Sequence, residues 1–482
     1  MVKENTTQVV IVGGGASGMA AAASASETGA AVTVLEANAA VGGNGLFPRG
    51  IFAVDSPIQR RRLIFADTDD IFRSCMEYSH WKLDGRLIRA LIDESGGTIG
   101  WLEEKGVHFT DVVHHIPNQS PEVFHITDTA ENVGKAVISA LKDYCRQRDV
   151  TILTGIRGKR ILLDDNGAVR GVLCVDKEGG QVSVQAQKVI LCTGGFAGNP
   201  TLISKFYPGF NPAAVAAGGG MRHPGDGIAM AMEAGADIEG NFAMEIAAPK
   251  IKGYDALNLL LGKPYNVWLN KFGARFADEG IVYNFAQAAN ACLRQPDGAV
   301  WVLFDRGIME QTLNDGRDII ELIHIAPDAE ERLDETIKKA GDDGLLKISP
   351  STGGLADMIG CPRDTLEHSL DEYNTFCAHN RDALFAKNRR YLKKLDHPPY
   401  YAIKAGADML ITHGGIRVNE CFEALKADYK TVPNLYAAGV DFGGADADVY
   451  NVVMSGHGFS FAVNSGRIAG RNAAAALNNN GI

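Results

Sequence analysis

Apolar and polar positions divide the first forty residues into a strand–helix–strand unit. After the polar run MVKENTTQ, Val9–Val12 is a short apolar strand. An alanine-rich stretch then reads as a helix, and Ala31–Leu35 forms a second strand ending at Glu36. Farther on, Val150–Thr154, Arg160–Asp164, Val169–Asp176 and Gln181–Gln185 alternate like the strands of a meander, with DDNG at 164–167 as a hairpin turn. KVIL at 188–191 is a buried strand running into Thr193-Gly194-Gly195, and NLYAAGVDFGG (434–444) repeats the idea of a strand reaching glycines. A long helix is predicted over roughly 458–477, and 328–347 reads as helical and charged.

The glycines between the first strand and its helix carry the first chemical signal. Gly13-x-Gly15-x-x-Gly18 together with Glu36 completes the pattern of a dinucleotide site. Gly13 makes the turn, Gly15 lets backbone approach a pyrophosphate, and Gly18 lets the helix pack on the sheet. The pyrophosphate sits where free N–H groups of the helix point outward. Glu36 accepts ribose hydroxyls, which favours an unphosphorylated ribose. Gly42-Gly43-Asn44-Gly45 is a second glycine turn, too close to Glu36 to be the next strand. Such a turn lets backbone pass beside a cofactor that continues beyond the pyrophosphate, which favours FAD over NAD. No histidine or cysteine lies near that turn, so the FAD is expected to be non-covalent. The N-terminus of the 458–477 helix points its positive dipole end at something anionic, and a reduced flavin fits.

Composition narrows the class. A chain of 482 residues exceeds what one core fills, so two domains are expected. The formal charge of −11 argues against a nucleic-acid binder. No run of about 18 apolar residues occurs, and from the polar start no secretory signal is expected. The eight cysteines include no CxxC, so zinc, iron–sulfur and c-type haem sites are not expected. Reduced, buried cysteines and a cytoplasmic location are the reading.

Several segments together resemble the flavoprotein subunits of the fumarate reductase and succinate dehydrogenase family, including soluble fumarate and urocanate reductases and 3-ketosteroid dehydrogenases. They are VVIVGGGASG, LEANAAVGGN, KVILCTGGFAGN, HPGDGIAMAMEAGA, LNKFGARFADE, THGGIRVNE, NLYAAGV and SGRIAG. The resemblance implies an α/β, Rossmann-like FAD-binding domain, discontinuous over 1–240 and 396–482, with an inserted α+β capping domain over 241–395. Substrate would lie between the two. It further implies FAD contacts from Gly13, Gly15, Ala16, Ser17, Gly18, Glu36, Gly42, Gly43, Asn44 and Gly45 in the first turns. Ile156, Thr193, Gly194, Gly195 and Asp226 would follow, then Gly439, Asp441, Ser455, Gly456, Phe459 and Ser460 toward the C-terminus.

Carried over residue by residue, the active site departs from that of fumarate reductases. Their proton-donating arginine falls at Tyr283 and their carboxylate-clamping arginine at Tyr450. Their histidine is shifted to His413, directly before Gly414-Gly415, and their relay acid and arginine fall near Leu259 and Gly262. A dicarboxylate without its arginine clamp is poorly held, so fumarate is expected to be a poor substrate. The two tyrosines are similar to the arrangement in ketosteroid dehydrogenases.

The expected activity is reduction or formation of a carbon–carbon double bond next to a carbonyl, in an enone or enoate. Tyr283 would act as acid–base group, with Tyr450 and His413 at the carbonyl oxygen. A flavin oxidase, or a flavin-binding electron carrier without a small organic substrate, are the alternatives. With no second dinucleotide unit and no haem or cluster ligands, electrons are expected from a separate donor or acceptor. Arg275, Asp278 and Glu279 read as a surface ion-pair cluster, KNRRYLKK (387–394) as a solvated helix face, and HPPYY (397–401) as a hinge.

Overall fold

The computed structural model describes residues 3–116, 121–128, 132–208, 210, 215–217 and 223–478. The chain forms two compact units. The first comprises residues up to Phe210, Gly220–Glu245 and Ile411–Ile482; the second is Ile246–Leu410 with the strand Val215–Ala217.

The first unit is built on an eight-stranded sheet. Its main path runs Glu423–Leu425, Thr431–Ala437, Gln181–Leu191, Lys3–Val12, Val32–Glu36 and Thr151–Thr154. From Thr431–Ala437 onward every neighbouring pair on this path is parallel. Parallel strands are covered on both faces, so they read as unbroken apolar runs, and Val9, Val10 and Ile11 are fully buried. The first strand starts earlier than its apolar core predicts. Its polar first half pairs with residues 182–186 of the long strand Gln181–Leu191, so backbone hydrogen bonds rather than side-chain burial extend it. That long strand also has two partners on its other edge: Val169–Asp176 beside its first half and Thr431–Ala437 beside its second.

Ile156–Leu163, Val169–Asp176 and Gln181–Leu191 form the expected antiparallel meander. The Asp164 carboxylate accepts the N–H groups of Asn166 and Ala168, both at 2.9 Å, in the turn. Val150–Thr154 is the exception. Thr151–Thr154 lies parallel to Val32–Glu36 at the edge of the main sheet, outside the meander. An edge strand is half exposed, which gives it the same alternating look.

Two helices, Ala16–Ser26 and His457–Asn478, pack through small residues. A Cβ placed on Gly466 would fall 2.1 Å from the Ser17 carbonyl oxygen, and one on Gly470 2.3 Å from that of Ala21. Only glycine allows this approach.

The second unit has its own sheet, ordered Val215–Ala217, Tyr400–His413, Val300–Asp305 and Val267–Leu269, with Leu346–Ser349 also paired to the long strand. Within 328–347 the helix is shorter than predicted, spanning Leu333–Asp342. It ends at Gly344, whose φ of 75° leaves the helical region, and the chain re-enters a strand at Leu346. Residues 388–394 contain only a single 3-10 turn, Arg389–Tyr391. Lys387 is 3% exposed whereas Arg389, Arg390 and Lys394 are exposed, so most of the run is solvated beyond its first residue but it is no helix face.

Candidate active site

The carboxyl ends of the parallel strands meet in glycine turns, as a nucleotide site in an open α/β sheet requires. Gly13 follows Val12 with φ at 108° and a virtual Cβ 2.1 Å from the Cys192 carbonyl oxygen. Gly18 is as tightly placed, its virtual Cβ 1.8 Å from the Gly13 oxygen. The helix that follows begins at Ala16 and Ser17 with Gly15 as its cap, and no side chain satisfies its first N–H groups. Beside Gly15 the space is open: a Cβ there would meet only the Gly42 oxygen, at 3.9 Å. An uncapped helix end beside open space fits a pyrophosphate.

Glu36 is 5% exposed at the end of the strand Val32–Glu36. Its Oε2 accepts the Gly14 N–H at 2.8 Å and its Oε1 the Asn38 N–H and side-chain amide at 2.7 Å. A carboxylate has about four acceptor sites, so capacity for a hydroxyl remains. The second glycine turn is held against the first by the Gly42 N–H on the Gly14 oxygen, 2.8 Å, and Gly43, Asn44 and Gly45 wind into a 3-10 turn. These features fit FAD.

The remaining predicted cofactor residues divide by role. Asp441 is fully buried and accepts the Thr193 N–H, the Thr193 hydroxyl at 3.1 Å and the Gly195 N–H at 2.9 Å. It pins the turn through Gly194 to the loop after Thr431–Ala437. Gly439 faces Ser17, with a virtual Cβ 2.5 Å from the Ser17 Oγ. Asp226 pairs with Arg157 at 2.6 Å, next to Ile156 in the chain. Ser455 bonds His115, Gly456 gives its carbonyl to Phe52, and Ser460 binds the Asn464 amide at 3.1 Å beside Phe459.

His413 and Tyr450 are brought together with three residues that the pattern did not single out: Glu245, Asp446 and His457. The His413 ring, at the end of the strand Tyr400–His413, lies 5.3 Å from the Tyr450 ring. Tyr450 stacks on His457 at 4.3 Å, and its hydroxyl accepts the Gly458 N–H at 3.3 Å. Asp446 stands between the imidazoles, 3.0 Å from His413 Nδ1 and 3.0 Å from His457 Nε2. Burial pulls the His413 pKa down, but the charge of Asp446 and the nearby Glu245 outweigh it and raise it to about 9. His413 Nε2 lies 3.8 Å from Glu245 Oε2, beyond hydrogen-bond length, and is buried with no hydrogen-bond partner. A small cleft opens here, lined by His413, Gly439, Val440, Asp446, Gly458 and Phe461 among others. The only sequence hints at the missed residues are a histidine between glycines at the start of the C-terminal helix and an aspartate in ADADV.

Tyr283 belongs to the second unit, at the end of the 3-10 turn Glu279–Tyr283. Its hydroxyl is 3.4 Å from Asp318 Oδ2, and its ring packs 6.1 Å from Tyr391. Burial first, then the charge of Asp318, push its pKa far above the ordinary phenol value, so it stays protonated. The neighbouring charges are no surface cluster. Arg275 and Glu279 are 8% and 0% exposed, locked with Asp382 and Lys387. Asp278 instead caps the 3-10 turn through the Gly280 N–H at 2.8 Å.

An uncapped helix end, the acid at the second strand and the glycine turn beyond it define a dinucleotide-binding flavoprotein. A family model described as FAD binding domain matches residues 8–450, and the chain belongs to that family. It is similar to the vinyl phenol reductase of Lactiplantibacillus plantarum, 29% identical over 468 residues that cover 93% of this chain and 92% of that protein. It is also similar to a fumarate reductase (cytochrome) of Shewanella frigidimarina, 27% identical over 459 residues, 93% of this chain and 74% of that one. Among solved structures, 3-ketosteroid-delta4-(5alpha)-dehydrogenase from Rhodococcus jostii RHA1 superposes with a TM-score of 0.75 at 21% identity, over 98% of this chain and 97% of that chain. This last likeness shows the fold. The resemblance read from the motifs is borne out, and FAD is the family's cofactor. No helix among the described residues is long and apolar enough to cross a membrane.

Proposed function

We propose that this chain is a FAD-dependent oxidoreductase that reduces, or reversibly forms, a carbon–carbon double bond conjugated with an oxygen-bearing group. The observation that carries it is the buried Nε2 of His413, without a hydrogen-bond partner, beside the Tyr450 ring at a cleft. Bound FAD, here held non-covalently, supplies or takes the hydride. His413 donates from Nε2 to the substrate oxygen and stabilises the charge that gathers there as the bond is reduced. Tyr450 completes that side of the site. Tyr283 supplies the proton at carbon, being a phenol that neutral pH cannot ionise.

Among the described residues lining the cleft, His413 is the cation, and Asp446 with nearby Glu245 places two carboxylates around it. A second carboxylate on the substrate would meet repulsion. Neutral or singly charged substrates are therefore favoured: an enone, a vinyl phenol, or an enoate with one carboxylate. The names of its relatives, a vinyl phenol reductase and a fumarate reductase, support the reaction class. A separate donor or acceptor carries electrons. Eight free thiols, six of them buried, fit the reducing cytoplasm proposed for the chain.

The test is anaerobic: chemically reduced holoprotein is mixed with enones, vinyl phenols, acrylates and fumarate, and the return of oxidised flavin absorbance is followed. Conjugated substrates with one oxygen function should reoxidise it faster than fumarate. Fumarate as the fastest oxidant would overturn the substrate class, and no response from the whole panel would overturn the reaction.

A further inference from the structure

We infer that Asp446 and His457 are positioning residues for His413: one buried carboxylate accepts a hydrogen bond from a ring N–H of each imidazole and so fixes His413 with Nε2 turned to the cleft. This rests on the reading that His413 binds the substrate oxygen.

The hydrogen-bond directions follow from what each partner can do. His457 Nδ1 lies 3.1 Å from the Met454 carbonyl oxygen, which only accepts, so Nδ1 carries a proton. Its Nε2 lies 3.0 Å from both oxygens of Asp446, and an ionised carboxylate also only accepts. Both nitrogens of His457 thus face acceptors, which holds the ring in one orientation. His413 presents Nδ1 to Asp446 Oδ2 at 3.0 Å, so that nitrogen is a donor as well. Asp446 is 2% exposed. Burial works against its charge, but His457 and His413 outweigh burial and hold its pKa below the ordinary carboxylate range.

His413 Nε2 is what remains. It faces Glu245 at 3.8 Å, close enough for attraction and too far for a hydrogen bond, so the proton it keeps is available to a ligand. The His413 ring stands between the carboxylates of Asp446 and Glu245, which is how its buried charge is tolerated. The other groups facing His413 are phenols. Tyr450 lies against its ring, and the Tyr207 hydroxyl donates to the Ala243 carbonyl oxygen at 2.5 Å and stands 3.4 Å from the His413 carbonyl oxygen. Burial keeps both phenols protonated, so neither competes for the charge. Tyr450 also stacks on the His457 ring, with centroids 4.3 Å apart.

The experiment compares Asp446→Asn, His457→Gln and His413→Gln holoprotein with the parent. It reads kcat, KM, the pH profile of kcat and the side-chain nitrogen resonances of 15N-histidine-labelled protein. Asp446→Asn should lower kcat by roughly 10²-fold and leave KM within a few-fold, because orientation matters most where charge develops. The basic limb of the profile, set in the parent by a group titrating near 9, should move down by about a unit or more. The His413 resonances should shift from the imidazolium toward the neutral pattern. His457→Gln should change all three in the same direction but less, since its amide still donates to Asp446. Unchanged resonances and an unmoved basic limb in Asp446→Asn overturn the inference. If that variant does not fold, the same two readouts in His457→Gln decide it. Full activity in His413→Gln would sink the oxygen-binding reading instead, while the resonances in Asp446→Asn would still report on the positioning.

Discussion

Arg275 grips Glu279 through two parallel hydrogen bonds of 2.8 Å inside the second unit, and its guanidinium also reaches Asp382 at 2.7 Å. Lys387 Nζ completes the group 3.1 Å from Glu279. Two cations and two carboxylates balance where water is excluded. Such a cluster adds little over a well-packed apolar one, but removing one member strands a buried charge. Glu279→Gln should therefore lower the free energy of unfolding by about 3–5 kcal/mol, read as a fall in the urea midpoint. A loss under about 1 kcal/mol, the scale of an exposed pair, would return the cluster to the surface.

The glycine turns predict loss of cofactor without loss of fold. Gly15→Ala has room for its methyl, with only the Gly42 oxygen within 4 Å, at 3.9 Å. The protein should fold, yet the methyl occupies the space meant for a pyrophosphate. Bound FAD should fall severalfold, measured as flavin absorbance per protein with the melting temperature retained. In the parent, denaturation should release the yellow cofactor into solution; colour that stays with the precipitate would show a covalent link.

Tyr283→Phe removes a hydroxyl and keeps the ring that packs against Tyr391 at 6.1 Å. FAD content and melting temperature should be unchanged. Turnover should drop by roughly 10²–10⁴-fold, the scale of a positioned acid–base group, with a much smaller change in KM. A variant as fast as its parent would make Tyr283 a packing residue and move the search for the proton donor to Tyr450 and His413.

Three histidines predict how stability follows pH. Burial lowers the pKa of His115 and His125 to about 4, below an unfolded value near 6.5. Between those values the unfolded chain binds more protons, so their contribution is full above 6.5 and lost as pH falls toward 4. His413 runs the other way. Its pKa of about 9 means the folded chain binds the extra proton, so its contribution is full below 6.5 and lost as pH rises through 9. Melting temperature should therefore peak near pH 6.5 and fall on both sides. In Asp446→Asn the alkaline fall should flatten, whereas an unchanged alkaline slope would show that His413 does not contribute it.

What was legible in the chain alone is what short-range geometry controls. Gly13 and Gly18 have to be glycine because backbone oxygens come within one methyl of them, Gly15 leaves open space beside it, and that pattern is written in a few consecutive positions. The apolar runs of Val9–Val12 and 188–191 announced strands buried on both faces, and the spacing to Glu36 placed the acid at the end of the second strand. Tyrosines where fumarate reductases keep arginines were visible as well. Tertiary structure decided the charges. KNRRYLKK looks solvated until Glu279, distant in sequence, draws Lys387 inside, and Thr151–Thr154 looks like meander until it pairs with Val32–Glu36. Asp446 in a polar loop and His457 between two glycines carry no pattern that joins them to His413. A side chain's periodicity records which face of an element is apolar. It holds no record of which distant group neutralises a charge once water is gone.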